Sequence, residues 1–200
     1  MRERMHDKRG MSALAWILLG ISAMFILFVP VDVALQAVQS HEFNSVLDNA
    51  VSSAITNIDE ELVKTGEVKI DHENATRAVY DAVASAYNLE YAGNGLHYHF
   101  VPSSLEKSKL DKLPHIEVKI VDLTRDEIKN GVVKTTSPFA VYDSENQNKN
   151  DRYEYPGIET DTIVVRMVGE FPSQILSKRK GFTFDRISAA QVELSDVPKK

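Results

Sequence analysis

The sequence predicts an α+β fold: a long N-terminal helix, transmembrane at its start and amphipathic beyond, then a second helix, then a mostly antiparallel sheet of about four to five strands. Three observations carry this expectation. No charged side chain occurs from Gly10 to Val31, apolar residues then recur at spacings of three and four as far as Leu62, and from Leu96 onward the apolar period changes to two. Consecutive strand-like runs without long helices between them imply antiparallel pairing.

The chain divides into a basic tail (1–10), a membrane span (11–31), an extracytoplasmic helix that continues the span (32–64) and an exported α+β domain (65–200). Within the span, Ala13 to Val29 is apolar apart from Ser22. At 1.5 Å per residue that run is about 25 Å of helix, close to the ~30 Å hydrocarbon core. A cleaved secretory signal would have a shorter apolar core, typically ~7–15 residues, followed by a small-x-small site that is missing here. Arg2, Arg4, Lys8 and Arg9 precede the span, whereas Asp32 and Glu42 follow it. The positive-inside bias therefore leaves the N-terminus in the cytoplasm and the C-terminal domain outside, as a single-pass protein of the cytoplasmic membrane.

Beyond Pro30, Leu35, Val38, Val46, Ala50, Ala54 and Ile58 form a stripe flanked by Val31, Phe43, Leu47, Val51, Ile55 and Leu62. The spacing predicts one rod from Ser12 to Lys64, about 80 Å long. Gly66 is its stop signal. Pro30 removes a backbone hydrogen bond and predicts a kink; two helices meeting at Pro30 are the alternative.

Residues 67–70 read as a short extended entry, and Asp71 as the N-cap of a helix over 72–91. Ala75, Val79, Val83, Ala86 and either Leu89 or Tyr87 form the face expected to pack on the outer half of the first helix, with Gly93 and Gly95 ending it. Strands are predicted at 96–101, 115–123, 132–142, 162–171 and 187–194, from β-branched and aromatic runs bounded by Pro, Gly, Asn and Asp clusters. Residues 143–157 are too polar to bury and read as a long exposed loop, and the lysine-rich end from Val197 reads as a frayed tail.

Charge narrows the partners. The first ten residues hold four basic and two acidic groups, so the remainder carries 19 basic against 27 acidic, net −8. That balance argues against nucleic acid or an anionic lipid surface as partner of the exported part. With no cysteine, disulfides, thiolate nucleophiles and cysteine-ligated metals are excluded.

Chemistry-bearing patterns are sparse. His97 and His99, two apart on a predicted strand, point to one face, with His115 or Glu117 as a third metal ligand. Asp143, Glu145 and Gln147 alternate like a calcium loop, but Asn148 stands at the sixth position where glycine is needed. Gly93, Asn94 and Gly95 begin like a dinucleotide fingerprint, yet they follow a helix and Tyr98 occupies the third glycine position, so they read as a turn. Asn74, Ala75 and Thr76 match a glycosylation acceptor. No G-x-S-x-G, H-E-x-x-H or phosphate-cradling loop occurs. The expectation is a protein that is not an enzyme, with no catalytic, metal or cofactor-binding residues and no cofactor.

The segments KRGMSALAWILLG, VSSAITNIDEELVKTGEVKID and ATRAVYDAVASAYNL, within residues 8 to about 90, resemble the TadE-like minor pilin-like proteins of tight-adherence (Tad/Flp) pilus and conjugation-type systems. The resemblance covers under half of the chain. It implies a pilin-like fold and a bacterial protein that sits in the membrane, associates with other pilin-like chains through its helix and supports assembly of a surface fibre or related secretion or conjugation apparatus. It also implies processing between Gly10 and Met11. The chain departs from the pattern at Ala15, where many pilins carry a glutamate, which leaves an intact permanent anchor as the alternative, and it cannot form the disulfide of many relatives.

In lipid, helices associate by close packing of small groups, which Ala13, Gly20 and Ala23 offer. Outside lipid, Leu35, Val38, Val46, Ala50 and Ala54 are the candidate assembly residues, free to bury against the chain's own sheet or against neighbours. The expected partners are the lipid bilayer and other pilin-like or membrane proteins. The competing expectation is an anchored extracytoplasmic binding or sensor domain that uses the helix as a passive stalk.

Overall fold

A computed structural model describes residues 4–58, 69–131, 158–172 and 182–192, with the side chains of residues 4–12, Phe25, Phe28, Val29, Arg125 and Lys129 outside the description. The fold is α+β, with two antiparallel sheets of two and three strands.

Helix α1 runs without interruption from Arg4 to Ile55, with Pro30 inside it. Its 52 residues make a rod of about 78 Å. The continuous reading therefore holds over the alternative of two helices at Pro30. The end falls at Ile55, not Lys64, and Asn57 and Ile58 show why. The Thr56 hydroxyl and the Asn57 side-chain amide both donate to the Ser53 carbonyl, at 2.7 and 3.0 Å, and the Asn57 amide turns back to Ala54 O at 3.1 Å. Short polar side chains that satisfy the last carbonyls compete with further helical turns. Ile58 then forms an isolated antiparallel bridge with Ile70, so the chain has already reversed. Leu62, Lys64, Gly66 and the first half of the predicted extended entry lie outside the described residues.

Helix α2 spans His72–Tyr87. Asp71 caps it, accepting from the Glu73 and Asn74 amides at 3.1 and 3.0 Å. Those bonds, with Asn74 foremost, hold the Asp71 carboxyl below its ordinary range. The helix stops at Asn88, which adopts the left-handed conformation at φ 54°. Asn tolerates that geometry, so the end comes before Gly93 rather than at it. Ala75, Val79, Val83 and Tyr87 are buried as the helical spacing requires.

Strands β1 (Tyr91–Asn94) and β2 (His97–Phe100) form a hairpin, so Gly93 to Gly95 do lie at a turn, though inside a sheet rather than at a helix end. Gly93 sits at φ 131°, and a Cβ there would meet His97 O at 2.0 Å, which admits only glycine. The hairpin packs on α2 through Tyr80, whose ring lies 5.8, 5.4 and 5.2 Å from those of Tyr91, Tyr98 and Phe100.

The second sheet has the order β3-β4-β5, from Lys112–Val121, Thr162–Phe171 and Phe182–Gln191. A 3-10 turn at Pro102–Lys107 precedes β3, and a short helix α3, Arg125–Lys129, follows it. The strand expected at 162–171 matches β4; β5 begins five residues earlier than expected because Phe182 and Phe184 extend the alternation. The register shift between Lys112 and His115 falls at Pro114, which cannot donate to a ladder. A single sheet was the expectation; the hairpin is instead held apart over α2. The strand predicted at 132–142, the loop at 143–157 and the tail from Val197 lie outside the described residues.

The core lies between the outer part of α1, α2 and one face of the three-stranded sheet. Phe43, Leu47, Ala50, Val51 and Ala54 of α1 meet Val79, Val83 and Tyr87 of α2 and Ile163, Val165, Met167 and Phe171 of β4. Gly169 lets α1 approach: a Cβ there would lie 2.7 Å from Phe43 Cε2. The Phe43 ring is fully buried between Phe171 and Phe184, at centroid distances of 6.0 and 5.7 Å.

Candidate interaction surface on the long helix

Helix α1 changes character along its length. From Phe43 onward one face is buried, and polar contacts clamp the helix to the sheet side: Ser188 Oγ donates to Asp48 Oδ1 at 2.7 Å, and Lys109 Nζ pairs with Glu42 at 3.3 Å. Asp32 is buried and Leu35 and Gln36 are half-buried, whereas before Asp32 every described side chain is exposed. Trp16, Ile17, Leu18 and Leu19 are all exposed, Trp16 by 73 %. Four consecutive helical residues at about 100° per step face every side, so no single buried stripe exists there. Ile26 is 71 % exposed and Val38 63 %. No helix is long and apolar enough to cross a membrane when the described residues alone are counted. Phe25, Phe28 and Val29, all inside the apolar run of the sequence, have side chains outside the description.

The candidate assembly residues separate accordingly. Ala13, Gly20, Ala23 and Val38 are exposed, and Leu35 and Val46 are half-buried. A Cβ on Gly20 would meet nothing within 4 Å, so that surface is open. Ala50 and Ala54 are both fully buried, and of the two expected settings they take the chain's own core. Gly10 and Met11 fall within α1, their side chains outside the description.

The polar candidates do not converge. His97 and His99 do share the outward face of β2, whereas His115 and Glu117 belong to the other sheet and pair with each other at 3.1 Å. Among the described residues no group of three or more His, Asp or Glu could hold a metal ion. Asp143, Glu145, Gln147 and Asn148 lie outside the described residues. In the acceptor pattern, Asn74 Nδ2 donates to Asp71 and the buried Thr76 hydroxyl to His72 O, both at 2.7 Å, so these side chains serve the helix start. A shallow groove of about 580 Å³ beside α1 is lined by Ser40, His41, Asn44, Ser45 and Asp48 among others, all on one helix.

Two buried features were not legible in the sequence. Asp161, 2 % exposed, ion-pairs with Lys69 Nζ at 3.2 Å and accepts from the Leu123 amide at 2.7 Å, tying the start of α2 to β3 and β4. These residues are 92 and 38 positions apart, and no local pattern announces such a pairing. The Tyr87 hydroxyl is buried without a hydrogen-bond partner among the described residues, and that burial, with Glu42 adding to it, pushes its ionisation well above the ordinary value.

Comparison with protein-family models, with curated proteins and with solved structures finds no match.

Proposed function

We propose that the chain is a membrane-anchored, pilin-like structural or assembly protein, whose helix α1 crosses the cytoplasmic membrane with its N-terminus inside and binds other membrane proteins. The single observation carrying this reading is the exposure of large apolar side chains on every side of the first half of α1, on a helix continuous with the domain core. Such a girdle is untenable in water at roughly 25 cal/mol per Å² of apolar surface, and lipid is the solvent that removes the penalty. The uncharged run from Gly10 to Val31 and the four basic residues before it support the same orientation.

The partner half of the reading is supported by the small open surface at Ala13, Gly20 and Ala23, and by apolar groups beyond Pro30 that the domain leaves uncovered. Gly20→Leu is the clean probe, because among the described residues nothing lies within 4 Å of an added Cβ. In membranes, the wild type is expected to resist alkaline extraction and to recover partner chains on crosslinking, while Gly20→Leu stays inserted and folded but loses them. Unchanged partner recovery, or release of the wild type by alkali, refutes the reading.

A further inference from the structure

We propose that His97 and His99 form a chelating site for one borderline divalent transition-metal ion, Cu2+ held most tightly, on the outward face of the β1–β2 hairpin. The site stands independently of the anchor reading above.

Strand geometry brings the pair together. Alternate residues of a strand project to the same face, and at about 3.3 Å per residue the Cα atoms of His97 and His99 stand roughly 6.6 Å apart on β2. An ion bonded to two imidazole nitrogens at about 2.0–2.1 Å holds them roughly 3.3 Å apart, a gap that two flexible side chains can close from that separation. Both imidazoles are exposed, and neither has a hydrogen-bond or ion-pair partner among the described residues. His72 and His115 differ: each is held by a carboxylate, Asp122 at 3.0 Å and Glu117 at 3.1 Å. His97 and His99 are thus free to turn their ring nitrogens on an ion.

The platform beneath them is fixed. On the inner face of the hairpin, Tyr91, Tyr98 and Phe100 pack on Tyr80 of α2 at 5.8, 5.4 and 5.2 Å. A hairpin held in this way presents both ligands without first ordering its backbone, which removes an entropic cost of binding. Across the ladder, His99 is opposite Ala92 and His97 is opposite Asn94. Opposed side chains share a face, so the neighbours of the pair are a methyl group, which leaves the space above the hairpin open, and an amide whose oxygen is a further, weaker donor. The donor set chooses the ion. Imidazole nitrogen suits Cu2+, Ni2+ and Zn2+, with affinity greatest for Cu2+, whereas Ca2+ and Mg2+ take oxygen ligands. Among the described residues no group of three His, Asp or Glu gathers anywhere, so the ion keeps coordination positions that a ligand from another molecule can fill.

The test titrates Cu2+ into the full-length chain, purified in detergent without a histidine tag, and follows binding by calorimetry. Loss of even an outer-shell partner of a metal site costs about 10–100-fold in affinity, so His97→Ala and His99→Ala should each weaken Cu2+ binding by at least about tenfold. His41→Ala and His115→Ala should leave it unchanged. A second readout uses the unmutated chain, where no variant's folding can confound it: bound Cu2+ should shield His97 and His99, but not His41, from modification by diethyl pyrocarbonate, located by peptide mass spectrometry. Three results overturn the proposal: a His97→Ala/His99→Ala double variant that binds as tightly as the unmutated chain, an equal loss with His41→Ala or His115→Ala, or no shielding of the pair. Release of the chain from membranes by alkali would overturn the anchor and leave this site untouched.

Discussion

Gly169→Ala tests whether α1 is seated in the sheet as described. The new Cβ would lie 2.7 Å from Phe43 Cε2, well inside van der Waals contact. The Phe43 ring cannot swing away cheaply, because it is fully buried and bracketed by Phe171 and Phe184. Overpacking of this kind costs about 1–3 kcal/mol. Against it stands the strand preference for Ala over Gly, about 0.5–1 kcal/mol. The net expectation is a loss of up to roughly 2.5 kcal/mol, measured by denaturant unfolding of the full chain in detergent and followed by the near-ultraviolet circular dichroism of the tyrosines. Trimming the opposing ring should relieve the clash, so Phe43→Leu combined with Gly169→Ala should lose less than the sum of the two single losses, by at least about 0.5 kcal/mol. If α1 did not press on β4 at this point, Gly169→Ala would instead stabilise the domain. A stabilised variant, or strict additivity with Phe43→Leu, refutes the packing.

Tyr87→Phe removes a buried hydroxyl that has no partner among the described residues, and should leave stability unchanged or raise it by about 1 kcal/mol. Because the folded tyrosine ionises above its unfolded value of about 10, its contribution is present below pH 10 and lost as pH rises towards the folded value. The wild type should therefore lose stability above pH 10 more steeply than Tyr87→Phe in denaturant titrations. Asp161→Ala leaves the Lys69 ammonium and the Leu123 amide without their carboxylate, and should cost about 3 kcal/mol in the same assay; a loss below about 1 kcal/mol would show that the latch is dispensable.

The elements legible in the sequence were those whose signal is local and periodic. The continuous α1, the Asp71 cap, the buried face of α2 and strand β4 all follow from spacing or from one capping side chain. Less legible were ends and partners. The chain turns at Thr56 and Asn57 through side-chain bonds to Ser53, which compete with an apolar stripe that runs on to Leu62. Strand β1, with two residues of Tyr-Ala-Gly-Asn poor in strand preference, is held by pairing with β2 rather than by its own propensity. Of the interaction surface, the apolar stripe was visible, but not how it divides. Ala50 and Ala54 stand about 120° and 160° around the helix from Val38, so α2 and the sheet cover the first two and leave the third bare.

The clamp between Asp48 and Ser188 spans 140 residues of chain. Synthesis delivers α1 before β4 and β5, yet those strands supply the surfaces that enclose Phe43. The pairing of β4 with β5 is equally late. The domain therefore cannot close stepwise behind the ribosome; α1 must wait, its sheet-facing side uncovered, until β5 has emerged. Such non-local closure makes for slow folding, and any chain cut short before residue 182 leaves that face unprotected.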